Sequence, residues 1–226
     1  THETPNNIAE MARGMATLAK HHGVKLIGGN VTKSPVLSLT LTVGGQMPKG
    51  RQPLLRSTAR AGDVLFLSGT VGDAAAGLHV LGNSKLRKQF PRLVAAQCRP
   101  SPHCAWALTA APWATAAIDV SDGLLQDVGH LCDDSKVGAE IDSARIPVGD
   151  EALRVMKAMK LHNLALTGGE DYVLLVAVAR RRAAAFVAHL KRHGFHAWPI
   201  GQLVARRGIY LDGRPVRGAL GFQHFR

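Results

Sequence analysis

The chain is short of aromatic residues, of cysteine and of acidic residues. Only 5% of its 226 residues are Phe, Tyr or Trp, and these do not alternate with basic side chains as in stacking surfaces for nucleic acid. No nucleic-acid motif is found, and no nucleic-acid partner is expected. Three cysteines, Cys98, Cys104 and Cys132, are an odd number with neither CxxC nor zinc-finger spacing. That excludes a disulfide framework or a zinc module and predicts reduced thiols in a cytoplasmic protein. The longest apolar runs, such as "VLLVAVA" (Val173 to Ala179), are far too short to cross a bilayer, so no membrane partner is expected. The first residues, "THETPNNIAEMARG", lack the basic start and apolar core of a signal peptide. Acids number 16 against 28 Lys and Arg, a formal charge of +12, which is compatible with an acidic surface or a phosphorylated ligand.

What is present reads as mixed helices and strands. Ile8, Met11, Met15 and Leu18 recur at helical spacing in "NNIAEMARGMATLAKHHG" and predict an amphipathic helix ended by Gly23. "VKLIGG" predicts a short buried strand. "VLSLTLTVGG" alternates Leu37, Leu39, Leu41 and Val43 with Ser38, Thr40 and Thr42, the pattern of a strand with one polar face. Pro48, Gly50, Pro53 and Gly62 then break the regularity and mark a linker. "DVLFLSG", "GAEIDSARI" and "GGEDYVLLVAVA" predict further strands, while "AWPIGQLV" and "GIYLDGRPV" predict a terminal hairpin-like pair. "DAAAGLHVLG" predicts a helix capped by Asp73, and "FPRLVAAQCRPSPHCAWALTAA" two helical pieces broken at Pro100 and Pro102. "GDEALRVMKAMK" predicts a helix burying Leu153, Met156 and Met159, and "ARRRAAAFVAHLKRHG" a solvated basic helix. Strands and helices do not follow a clean alternating repeat. The fold class expected is α+β, with a short first part, 1–48, and a larger domain, 49–226.

Three glycine-and-acid turns stand out. In "AIDVSDGLLQD" an apolar run ends at Asp119, and Ser121 and Asp122 open an amphipathic pattern. Oxygen ligands this close suit a hard cation such as Mg²⁺, which takes one or two carboxylates plus phosphate oxygens. The same residues suit the capping of a helix by Ser121 or Asp122, and spacing alone leaves both readings open. "LIGGNVTKSP" offers Gly28 and Gly29 for close backbone approach, with Asn30, Thr32 and Lys33 as polar contacts; it lacks the Walker A spacing. "LTGGEDYVLL" places Gly168 and Gly169 before Glu170 and Asp171 at the edge of a strand. No HExxH pair or GxSxG elbow occurs, and no residue is assigned as a general base or nucleophile.

These segments, with "RPSP", "IGQL" and the terminal "GFQHF", occur in the order found in thiamine-monophosphate kinases. The chain resembles that family, part of the ATP-binding superfamily that includes aminoimidazole ribonucleotide synthetase, over essentially its whole length. The resemblance implies the remainder of an N-terminal ATP-binding α/β domain followed by a complete C-terminal α+β domain of the aminoimidazole ribonucleotide synthetase-like type. It implies ATP-dependent phosphorylation of thiamine monophosphate to thiamine diphosphate by Mg²⁺-assisted in-line transfer, in a homodimer. By motif, Asp119 and Asp122 resemble metal ligands. Ser121 resembles an ATP contact, and Gly29 and Asn30 resemble a turn touching nucleotide and metal. Arg51, in "KGR", is similar to an arginine on ATP phosphates. Glu170 and Phe222 resemble thiamine-site residues.

Three departures from the family pattern are visible. The family carries roughly a hundred further residues, the size of a small domain, before the first segment here. Asn30 stands where the family has Asp, and Gln223-His224 stand in place of its Asp-His ending. The expectation is therefore a fragment or truncated relative. Two alternatives follow: nucleotide binding without turnover, and a superfamily kinase or synthetase with another acceptor.

Overall fold

The structure is a computed structural model that describes residues 3–47, 49–218 and 220–222. It divides into two compact units, Thr1–Arg51 and Gln52–Arg226.

In the first unit, α1 (Pro5–His21) forms as its periodicity predicts. Thr4 caps it by accepting the Asn7 N–H, Pro5 takes the first turn where no N–H partner is needed, and Gly23 ends it at φ +67°. The two strands expected after it, "VKLIGG" and "VLSLTLTVGG", are not formed: residues 24–47 carry no regular structure, and Ile27 is 97% exposed. Alternation stabilises a strand only when its backbone is paired and one face is covered. Within this unit the two segments do not pair with each other, and the apolar side chains from Leu37 to Val43 remain exposed.

The second unit is built on a seven-stranded sheet. Its strands are β1 (Val64–Leu67), β2 (Ala114–Asp119), β3 (Gly138–Ile141), β4 (Leu174–Val178), β5 (Trp198–Val204), β6 (Gly208–Leu211) and β7 (Arg214–Pro215). The order is β2-β4-β1-β5-β3-β6-β7, and every pair is antiparallel except β3 with β6. The expected pairing of "AWPIGQLV" with "GIYLDGRPV" is therefore corrected. β3 inserts between them, and the terminal hairpin is β6 with β7.

Both faces of the central strands are covered, which explains why "VLLVAVA" shows no alternation of polarity. Leu175 and Ala177 of β4 and Leu65 and Leu67 of β1 point into one apolar layer, with α6 (Leu124–Ser135). Val176, Val178 and Phe66 point into the other, against α5 (Cys104–Ala110) and α9 (Arg180–Arg192). There Phe186 meets Phe66 at 5.0 Å and Trp106 at 6.2 Å between ring centroids, both edge-on.

A third cluster joins α2 (Asp73–Leu81), α4 (Pro91–Cys98) and α7 (Asp150–Met159). The short helices α3 (Ser84–Gln89) and α8 (Leu164–Thr167) flank it. Gly77 lets α2 approach α4 so closely that a Cβ there would collide with the Leu93 carbonyl. The buried stripe of α7 is Ala152, Val155 and Met156; the expected Leu153 and Met159 are exposed. Ala152 is fully buried in the cluster with α2 and α4.

Replacing Phe186 by Ala removes a fully buried ring from the sheet–helix layer and should cost about 3–5 kcal/mol. Equilibrium denaturant unfolding measures it; a change under about 1 kcal/mol would contradict the packing described.

Candidate functional site

The site begins where β2 and β4, antiparallel neighbours, come to an end and a beginning at the same edge. Asp119 pairs with Leu174 as the last rung of the ladder. The hydrogen bonding continues past it. The Val120 N–H donates to the Val173 carbonyl (2.8 Å), and the Tyr172 N–H donates to the Val120 carbonyl (2.9 Å). The Glu170 N–H then donates to the Ser121 carbonyl (2.8 Å). The "DVSDG" and "GGEDY" turns are thus tied backbone to backbone across about fifty residues of sequence.

Sterics explain the glycines. Gly168 and Gly169 have no positive φ; they are needed for close approach. A Cβ on Gly169 would strike the Ser121 carbonyl oxygen, and one on Gly168 would lie 2.6 Å from the Cβ of Ala75. The left-handed conformations fall instead on Glu170 (φ +73°) and Tyr172 (φ +50°), where side chains make them costly.

Helix α6 starts after Gly123 with no side-chain cap at its first residue. The sequence expectation that Ser121 or Asp122 caps it is corrected. Asp127, one turn inside the helix and only 2% exposed, reaches back. Its Oδ2 accepts the N–H groups of Ser121 (2.9 Å) and Asp122 (3.0 Å). The turn is held by its backbone, and the cap uses neither the hydroxyl of Ser121 nor the carboxylate of Asp122.

Around this turn stand Asp119 and Glu170, both exposed, and Ser121 and Asp122, both half-buried. The Tyr172 hydroxyl donates to Glu170 Oε2 at 3.1 Å. Burial raises the pKa of that phenol first; the bond to Glu170 and the charges of Asp119 and Asp122 raise it further. Three carboxylates therefore share one negative field. The terminal segment docks on the same turn: the Phe222 N–H donates to the Asp122 carbonyl (2.9 Å), and Gln126 Nε2 donates to the Phe222 carbonyl (2.6 Å). Phe222 is 59% exposed. Gln223 and His224 lie outside the described residues.

A phosphorylated ligand would be repelled by this field unless cations came with it. The donors are hard oxygens, which fit Mg²⁺. Among the described residues, the ligand atoms of Asp122, Asp127 and His130 also lie within 4.8 Å of one another. Asp127 is committed to two backbone N–H groups, and His130 offers nitrogen, which suits a hard ion less well than oxygen. Gly29, Asn30 and Arg51 belong to the first unit, where all three are exposed in irregular backbone.

The AIR synthase related protein C-terminal domain family matches residues 60–214. The chain is 38% identical to the thiamine-monophosphate kinase of Escherichia coli K12 over 216 residues, 92% of this chain and 66% of that protein. The chain belongs to the thiamine-monophosphate kinase family. The crystal structure of thiamine-monophosphate kinase from Stenotrophomonas maltophilia K279a is similar at a TM-score of 0.82 and 29% identity. It covers 95% of this chain and 70% of that one. A structure described as AaThiL complexed with AMPPCP and TMP is 31% identical at a TM-score of 0.67, covering 76% of this chain and 54% of that one. The chain thus spans about two thirds of the length of the Escherichia coli family member.

Two residues that sequence reasoning passed over organise this family member's turn. Asp127 was discoverable as an acid in the first turns of an uncapped helix. Asp171 reads in sequence as an exposed turn acid. In the structure its Oδ2 accepts the Gly72 N–H (2.6 Å) and its Oδ1 the Ala74 N–H (3.0 Å) at the start of α2. Burial pushes its carboxyl up from 3.8 to about 6, against the lowering effect of these hydrogen bonds; the nearby charge of Asp73 adds to the rise.

A raised folded pKa means that the folded state holds this proton more tightly than the unfolded chain. The contribution of Asp171 to stability is then greatest below about pH 4 and is lost as pH rises to about 6. Chemical denaturation across that window should show a negative slope that the Asp171→Asn variant flattens. An unchanged slope would mean that another group carries the dependence.

Proposed function

We propose that this chain carries the metal- and acceptor-binding part of an enzyme that transfers a phosphoryl group from ATP to thiamine monophosphate, giving thiamine diphosphate. One observation carries the reading. The Ser121–Asp122 and Glu170 turns are hydrogen-bonded to each other through their backbones, so the turn that carries Asp122 adjoins the turn that carries Glu170, which supports the reading. A family member complexed with AMPPCP, an ATP analogue, and TMP supports the choice of substrates.

In this proposal Asp119 and Asp122 of the second unit would hold Mg²⁺, and Asn30 of the first unit is a ligand candidate by motif alone. When bound, the ion neutralises phosphate charge that these carboxylates alone would repel. Ser121 is the nucleotide contact in the second unit; in the first unit Gly29, Asn30 and Arg51 are nucleotide contacts by motif, and an arginine fork suits phosphate oxygens. Glu170 meets the permanently cationic thiazolium of thiamine, and Phe222 offers an exposed aromatic face beside it. The accepting phosphate oxygen is already ionised, so no side chain need remove a proton. In-line transfer then rests on positioning and charge, which accounts for the lack of any assigned base. The homodimer and cytoplasmic location implied by the family belong to the same proposal.

A second reading, nucleotide binding without turnover, is favoured by Asn30. An amide brings no charge to a cation where the family pattern has a carboxylate.

The test is incubation of the chain with ATP, Mg²⁺ and thiamine monophosphate, with thiamine diphosphate separated and measured by fluorescence after oxidation. Product should form, and Asp122→Asn should lower the rate by about 10²-fold, the loss expected when a metal site is weakened. Calorimetric binding of AMPPCP with no product would overturn the kinase reading in favour of the second, and Asn30→Asp would then be expected to restore turnover.

A further inference from the structure

The acid next to Glu170 is half-buried where its neighbour is exposed. Both oxygens of Asp171 are engaged by main-chain donors nearly a hundred residues earlier in the chain. Those donors, Gly72 and Ala74, open helix α2, whose first residue has no side-chain cap of its own. Asp171 therefore caps α2 from a distance and fastens the "GGEDY" turn to a helix buried in the third apolar cluster.

The fastening matters because the turn would not hold this shape alone. Glu170 and Tyr172, on either side of Asp171, both occupy left-handed backbone, a conformation that is costly for residues with side chains. Their N–H groups are the ones donated to Ser121 and Val120. The alternation places Asp171 on the buried side of the turn and Glu170 on the site side. Gly72 itself sits at φ +85°, and a Cβ there would meet Met156 Cε and the backbone of Ala165, so the cap is seated in a close-packed corner. Nearby, the Thr70 hydroxyl donates to Asp73 Oδ2 at 2.5 Å, which gives the second acid at this helix start a partner of its own.

We propose that Asp171 is a positioning residue for the acceptor site: by gripping the start of α2 it holds Glu170 in its left-handed conformation, aimed at the thiamine end of the substrate. The part concerning substrate rests on the kinase reading. The carboxylate touches no reacting atom and acts only through Glu170 and the strand–helix turn to which Glu170 is bonded. An Asn at this position can accept one of the two N–H groups but turns an N–H₂ toward the other, so one donor loses its partner. A Glu keeps both acceptors on a longer stem.

Two measurements test this separately. The first is amide hydrogen exchange on the substrate-free protein, which does not depend on any activity. In Asp171→Asn the Glu170 and Tyr172 amides should exchange faster along with those of Gly72 and Ala74, while the Val176 and Ala177 amides of β4 stay protected. Unchanged exchange at Glu170 and Tyr172 would overturn the clamp. The second is steady-state kinetics. Asp171→Asn should raise the KM for thiamine monophosphate by about tenfold or more and leave the KM for ATP nearly unchanged, because a misplacement of about an ångström at one substrate is felt there. Asp171→Glu should recover part of the loss, and it carries the test if the Asn variant fails to fold. Equal changes in both KM values, or a lower melting temperature with neither KM altered, would reduce Asp171 to a structural residue. Absence of product from the wild-type chain would count against the kinase reading alone, since the exchange experiment still judges the clamp.

Discussion

The site depends on a ladder of main-chain hydrogen bonds that does not stop where the strands stop. β2 and β4 pair up to Asp119 and Leu174, and the same antiparallel pattern then carries on through Val120, Ser121, Tyr172 and Glu170. Because the rungs are backbone, they leave the side chains of the two turns to chemistry. Because they are consecutive, they transmit the rigidity of a sheet covered on both faces to residues that stand at its rim. The glycines are the condition for this: at Gly169 a side chain would separate the two turns.

Electrostatics runs against the bulk composition. A chain of net charge +12 gathers Asp119, Asp122 and Glu170 around one tyrosine hydroxyl. Such a concentration is unfavourable in the absence of cations and becomes favourable with them, so the arrangement suits ligands that bring positive charge. The inner acids have the opposite task. Asp127 is buried and Asp171 half-buried, and both accept main-chain N–H groups at helix starts. Burial raises the pKa of each, so these clamps bring definite geometry at a cost in stability.

Much of the fold was readable before any coordinates. Helices α1, α2, α4, α5, α6, α7 and α9 follow from periodicity and from proline breaks, and the strands of the second unit from apolar runs bounded by turn residues. The readings that failed are those in which pairing decides. "VLSLTLTVGG" has the alternation of a strand and yet forms none, because alternation states which face would be buried and cannot supply a neighbour. "AWPIGQLV" and "GIYLDGRPV" are strands, but adjacency in sequence suggested a hairpin where β3 intervenes. For α7 the period was right and the face was wrong, since Ala152 rather than Leu153 meets the neighbouring helix.

By itself the sequence determined which residue types sit at each turn, the order of those turns and the family to which the chain belongs. Such information is local and survives without a fold. Only the tertiary structure decided that the "DVSDG" and "GGEDY" turns are one object, that Asp127 rather than Ser121 or Asp122 secures the helix start, and that Asp171 faces inward while Glu170 faces out. The physical reason is the same in each case. A carboxylate at a turn can be a solvated charge, a cap or a ligand, and the choice is made by which main-chain N–H groups the fold brings within about 3 Å of it: groups five and six positions away for Asp127, nearly a hundred away for Asp171.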